Sequence, residues 1–158
     1  MTESIERAIA PQQVHPTSLL EQAFNNLSLG LIICDNKYEV VFCNKRYMEI
    51  YGLSSEQVKP GTPVRDLIQH RFNLGFKVLS KPDEYIRGRA GNAVVPGTTV
   101  HQYTDGRIIS YTIYPLPDGG AMATHEDITA REEIRARLKN QYQLGKEQEE
   151  ALRIRNLQ

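Results

Sequence analysis

TDGRIISYTIYPLPDGGAMATHEDIT, residues 104–129, is the stretch whose reading decides the fold. It opens on a turn and continues as a long run of β-formers. A second turn, Leu116 to Gly120, is followed by another strand, Ala121 to His125. Asp105-Gly106 is a type I′ hairpin signal that pairs Thr98–Tyr103 with Arg107–Pro115. The stretch ends on Asp127-Ile128-Thr129, where Thr129 and Glu132 form a capping box and predict a helix starting directly off the last strand.

Strand parity assigns the faces. A two- or four-residue loop in the last hairpin puts Ile109, Tyr111 and Ile113 on one face with Met122 and Thr124. The Asp-Gly turn adds Val100 and Gln102 to that face. Ile108, Ser110, Thr112, Tyr114, Ala121, Ala123 and His101 take the other, and His125 falls with them. The first set is the more apolar and is expected to face inward. Ala121 and Ala123 would then let an N-terminal helix approach the outer surface closely.

Working outward, residues 1–17 lack periodicity and read as a flexible arm. Ser18 and Glu21 form a first capping box, and Leu20, Ala23, Phe24 and Leu27 recur at helical spacing. That stripe is expected to pack on the domain or on a second copy. Leu29–Asp35 and Tyr38–Cys43 flank a turn at Asn36-Lys37, making a hairpin. Asn44 caps KRYMEIYG, which Gly52 closes. SSEQV predicts one short helical turn, ended by Pro60-Gly61.

Thr62-Pro63 opens a helix through about Phe76. At 100° per residue from Val64, Leu67 and Ile68 share a side with Arg71, while His70 points away. A guanidinium on an apolar stripe has two readings. It reaches an anionic ligand in the interior, or it pairs with Asp66 or Glu84. Pro82 begins a further short helix over PDEYIRGRAG.

Residues 130–158 are charge-dense and helix-forming, with a thin seam at Ile134, Leu138 and Leu152 and either Tyr142 or Leu144. Gly145 costs about 1 kcal/mol within it, so the helix wants a partner. Gln158 carries no stop signal, and the chain is expected to continue.

Composition sets outer limits. In 158 residues, 19 basic and 19 acidic side chains balance to zero. Nucleic-acid binding is therefore not expected, nor is membrane insertion, since no apolar run reaches a span. A cytoplasmic protein follows. On the hairpin, Cys34 pairs near Glu39 and lies roughly 13 Å from Cys43, too far for a disulfide, so both thiols are expected free.

This order of elements resembles a PAS domain. GLIICDNKYEVVFCNKRYMEIYGL, residues 30–53, is similar to the opening strands and first helix of that family. DGRIISYTIYPLPDGGAMATHEDITAREE is similar to its closing strands and D-I-T junction, especially in PAS repeats ahead of bacterial diguanylate cyclase, phosphodiesterase and sensor-kinase modules. The resemblance implies an α+β fold: a five-stranded antiparallel sheet, short helices over one face, an N-terminal flanking helix and a C-terminal signalling helix. Residues 18–129 would be the sensory domain and 130–158 the exit helix toward an output domain. Asp127, Ile128 and Thr129 would couple the two, with Asp127 holding the strand end while Thr129 caps the helix.

Candidate pocket residues are Arg71, Ile109, Tyr111, Ile113, Met122 and Thr124, with a small anion as the ligand class. Candidate dimer residues are Leu20, Phe24, Leu27, Ile134 and Leu138, in a parallel homodimer.

Some PAS domains bind haem through histidine. Here His70 points outward and His101 and His125 fall on the outer parity, so haem is disfavoured. Flavin photochemistry in the family needs a helical cysteine in an N-C-R-F-L-Q-like motif. Cys34 and Cys43 lie on strands, which rejects it.

His125-Glu126-Asp127 cannot form one metal sphere, because neighbouring strand residues alternate faces. Gly88-Arg89-Ala90-Gly91 lacks a phosphate-loop pattern, and no nucleophile–base spacing stands out. The segment reads as non-catalytic. A ligand-free dimerisation scaffold is the rival reading.

Overall fold

Period-two runs of β-branched and aromatic residues become strands, and the capped 3.6-period stretches between them become helices. The computed structural model describes residues 16–76 and 96–157. In chain order these form α1 (Pro16–Asn25), β1 (Gly30–Cys34), β2 (Val40–Cys43), α2 (Lys45–Tyr51) and α3 (Val64–Asn73). β3 (Gly97–Gln102), β4 (Ile108–Pro115), β5 (Ala121–Asp127) and α4 (Thr129–Arg155) follow. The strands make one antiparallel sheet in the order β2-β1-β5-β4-β3, so the first hairpin joins the closing meander through β1 and β5. The helix expected over 82–91 lies outside the described residues.

The first hairpin turns because the Asp35 carboxylate accepts from the backbone N–H of Lys37 (2.8 Å) and Glu39 (3.0 Å). A register shift sets Cys34 against Val40 rather than Glu39, while Cys43 faces Ile32, and both thiols are free as the spacing predicts. Asn44 is fully buried and caps α2 as expected. Its Oδ1 accepts from Tyr47 N (3.0 Å) and Leu31 N (2.7 Å), and its Nδ2 donates to the carbonyls of Phe24 (2.8 Å) and Leu29 (2.9 Å). One side chain thus ties α1, β1 and α2 together. Residues 55–58 form turns rather than a helix, and α3 stops at Asn73, short of Phe76.

α1 starts at Pro16, not after Ser18. Proline suits a first helical turn, where its missing N–H leaves no bond unmade, and Ser18 sits inside the helix with its Oγ accepting from the Gln22 side chain. Phe24 meets Phe42, with ring centroids 5.5 Å apart. Leu20 and Leu27 stay 57% and 44% exposed, so the stripe does not pack as a whole on the domain.

Two turns overturn the parity assignment. Between β3 and β4, Tyr103 N donates to Arg107 O (2.8 Å) around three residues, with Gly106 at φ +89°. That is a three-residue turn closed by a left-handed glycine, not a two-residue type I′ turn. Between β4 and β5, Pro115 opposes Ala121 around five residues. Both loops are odd, and an odd loop moves every partner to the other face.

Tyr111 therefore opposes Thr99 and His125, Ile109 opposes His101 and Asp127, and Ile113 opposes Ala123. The inner face carries Ile109, Tyr111, Ile113, His101, His125, Ala121 and Ala123. Met122, Thr124, Val100 and Gln102 share the outer face with Thr112 and Tyr114. Ala121 and Ala123 thus face the core rather than an N-terminal helix.

The core lies between this inner face and the apolar sides of α2 and α3, and includes Ile32, Tyr47, Tyr51, Leu67, Ile68 and Ile109. α2 reaches the sheet because β1 offers Gly30 there. A Cβ at Gly30 would stand 3.0 Å from both Tyr47 Cα and Ile50 Cδ1.

Candidate ligand site and signal junction

Arg71 lies where the helical period places it, on the buried side of α3 with Leu67, Ile68 and Phe72, and only 2% exposed. His70 is exposed, as expected. The guanidinium sits over the Tyr51 ring, 3.5 Å from its centroid. Its Nη1 donates to Tyr47 Oη (3.2 Å) and its Nη2 to Tyr103 Oη (2.7 Å). Arginine keeps its charge even when buried, so the interior of the fold holds a fixed positive group contacted by α2 and the end of β3. Of the carboxylates weighed as its partner, Asp66 is exposed and Glu84 lies outside the described residues.

Beside it runs a second set of rings, on the inner face of β4 and β5. His125 is 5% exposed and shares a 2.7 Å hydrogen bond between Nδ1 and Tyr51 Oη. Its ring stacks on Tyr111 (5.6 Å, 26°) and meets the Tyr47 ring edge-on (5.0 Å, 88°). Tyr111 in turn stacks on His101 (5.3 Å, 19°), whose Nε2 lies 2.9 Å from Tyr111 Oη. The structure thus brings Arg71, Ile109, Tyr111 and Ile113 to the inner side and leaves Met122 and Thr124 outside. His101 and His125 lie on the inner face, not on the outer one expected of them. For His125 the inward placement was recoverable from sequence, because the turn Leu116 to Gly120 spans five residues, an odd number.

At the exit, Asp127 does the capping expected of Thr129. Asp127 Oδ1 accepts from Thr129 N (3.0 Å) and from the Thr129 hydroxyl. Thr129 is already the first residue of α4, and Ile128 occupies the cap position without a side-chain bond to the helix. The Thr129 Oγ1 accepts from Ile108 N (2.9 Å), while Ile128 N donates to Ile108 O (2.9 Å). Both backbone groups of one β4 residue are thereby tied to the junction, and Ile128 is buried. Beyond it α4 buries no residue; Ile134 and Leu138 are 59% and 61% exposed.

Burial also sets the chemistry of the thiols. Loss of solvation pushes Cys43 up to about 12 and raises Cys34, the latter partly offset by its hydrogen bond to Ala121 O. Both stay protonated at neutral pH and make poor nucleophiles. Among the described residues, no cluster of three or more His, Cys, Asp or Glu could hold a metal, and no helix is long and apolar enough to cross a membrane.

The family model described as PAS fold matches residues 24–136. Among solved structures, the PAS domain of BvgS from Bordetella pertussis is similar at 15% identity and TM-score 0.50, covering 80% of this chain and 96% of that one. The phage VqmA–DPO complex is similar at 18% identity and TM-score 0.50; 80% of this chain is covered, and it spans 59% of VqmA. The PAS domain of a protein from Colwellia psychrerythraea shares 22% identity at TM-score 0.44, covering 72% and 98%. At such identities the likeness is one of fold. No curated protein matches the sequence. The five-stranded sheet, the helices over its inner face, the junction to a C-terminal helix and a family match across most of the chain agree: the chain belongs to the PAS family.

Proposed function

We propose that this PAS domain is the sensory unit of a bacterial signalling protein and binds a small anionic ligand beside Arg71. Its state passes through Asp127-Ile128-Thr129 into α4 and on to a diguanylate cyclase, phosphodiesterase or kinase output domain. The carrying observation is Arg71 itself, a permanent charge at the inner face, oriented by two tyrosine hydroxyls and a ring. An orienting cradle of this kind lowers the cost of holding an anion, because the donors need little rearrangement. A ligand can shift the domain only through different affinity for two states, and Arg71 links α3 to α2 and β3, the elements that would move.

Native mass spectrometry of the purified chain tests the reading. A bound small molecule, lost in Arg71→Gln with the fold intact by circular dichroism, is the expected result. Repeated absence of any adduct would favour a ligand-free dimerisation scaffold. That second reading draws support from the rings themselves, whose centroids stand 5.0–6.3 Å apart around Tyr51. An absorbance spectrum of the same sample decides haem.

Self-association belongs to both readings. The exposed apolar residues Leu20, Leu27, Ile134 and Leu138 support a parallel homodimer through α1, α4 or both, and Phe24 is already half-committed to Phe42. A monomer by light scattering at high concentration would remove it. Two free thiols and zero net charge fit a cytoplasmic site of action.

A further inference from the structure

The inner-face contacts continue past Arg71. Tyr51 carries the guanidinium on its ring face and engages His125 through its hydroxyl. His125 and Asp127 are two residues apart on β5, so their side chains leave the same face of the strand. Asp127 then holds Thr129 at the start of α4.

The surroundings of His125 restrain it from several sides. Tyr111 stacks on it from β4, and Tyr47 meets it edge-on from α2. On β1 its partner is Gly30, whose missing side chain lets the α2 backbone come directly against the sheet. A shift of α2 therefore pushes on β5 at this position. Close-packed interiors transmit such displacements rather than absorb them.

We propose that His125 is the positioning residue that couples the Arg71–Tyr51 cluster to the Asp127–Thr129 junction. This deepens the signalling reading above, yet its test uses the chain without any ligand, so it stands or falls separately from whether an anion binds at Arg71.

Amide hydrogen exchange by NMR on the full 158-residue chain decides it. Tyr51→Phe deletes only the hydroxyl that meets His125 and leaves the ring under Arg71. Its expected effect is faster exchange of the Thr129 and Ile128 amides, roughly three- to tenfold for one buried hydrogen bond, with the β2 amides unchanged. His125→Asn keeps a polar atom near the position of Nδ1, and is expected to hold junction exchange closer to wild type than His125→Leu does. Equal acceleration across the whole sheet in Tyr51→Phe would mean mere destabilisation and would overturn the proposal. So would unchanged exchange at Thr129. If His125→Leu does not fold, Tyr51→Phe alone is decisive, since it removes no packing volume beyond one oxygen.

Discussion

The inner side of the sheet and α4 are joined by three residues, yet they are held in opposite ways. Around Arg71 and His125 almost every ring is buried and touches another ring, and the hydroxyls of Tyr47, Tyr51 and Tyr103 find partners inside the fold. Along the 27 residues of α4 nothing is buried. The first region is fixed by packing within this chain. The second has its backbone ladder, one capped end and exposed side-chain pairs such as Arg135–Glu132 and Gln143–Glu147, whereas most helical stability in proteins comes from packing an apolar face. A sensor benefits from the difference: a stiff detector attached to an element whose state is not already decided.

The contrast is broken most severely at its rigid end. Arg71→Ala would remove a buried side chain and leave the Tyr47 and Tyr103 hydroxyls short of a donor, a loss of about 3 kcal/mol in urea denaturation. Gly30→Ala comes next. Its new methyl meets the α2 backbone at Tyr47, which cannot swing aside, so about 2 kcal/mol of stability should disappear in the same assay.

Asp127→Ala strikes the seam between the regions. Loss of the carboxylate that holds Thr129 should cost about 1 kcal/mol, read as fraying of the first turn of α4 while the sheet amides keep their protection. At the loose end, Ile134→Ala should change the unfolding free energy of the monomer by less than about 0.5 kcal/mol. A larger loss, dependent on protein concentration, would instead show that the helix is buried in an oligomer.

The thiols give the smallest effect, and stability does not change with pH through them near neutrality. An unfolded cysteine ionises near about 8.5, whereas the folded Cys43 does so only at about 12. The folded value is raised, so this contribution is fully present below about 8.5 and is lost as pH rises toward 12. Alkylation of the native protein should accordingly stay slow through about pH 9, and unfolding in urea should make it fast.

How much of this was legible depended on what each inference had to count. Arg71 was found because a helical face follows from spacing within one element, and a boundary error of a residue or two leaves it unchanged. Strand faces across a hairpin depend on whether the loop is odd or even. An even count where the loop is odd sent Met122 and Thr124 inward and His125 outward at the second turn, and Val100 and Gln102 inward and His101 outward at the first. Asp-Gly read alone favours a two-residue turn, but the tertiary fit of Tyr103 in the core selects three. At the junction, the capping box at Thr129 and Glu132 marked the place correctly and the residue wrongly. Asp127, two positions earlier, instead accepts from the N–H and hydroxyl of Thr129, whose oxygen accepts from Ile108 N.

The length of α4 gives this junction mechanical leverage. At about 1.5 Å per residue, 27 residues extend roughly 40 Å from the point where Asp127 grips them. A tilt of only about 5° at that base would carry the far end sideways by roughly 3.5 Å, close to the width of an atom-to-atom contact. Displacements too small to disturb the sheet would therefore be large enough, at the other end, to exchange one set of neighbours for another.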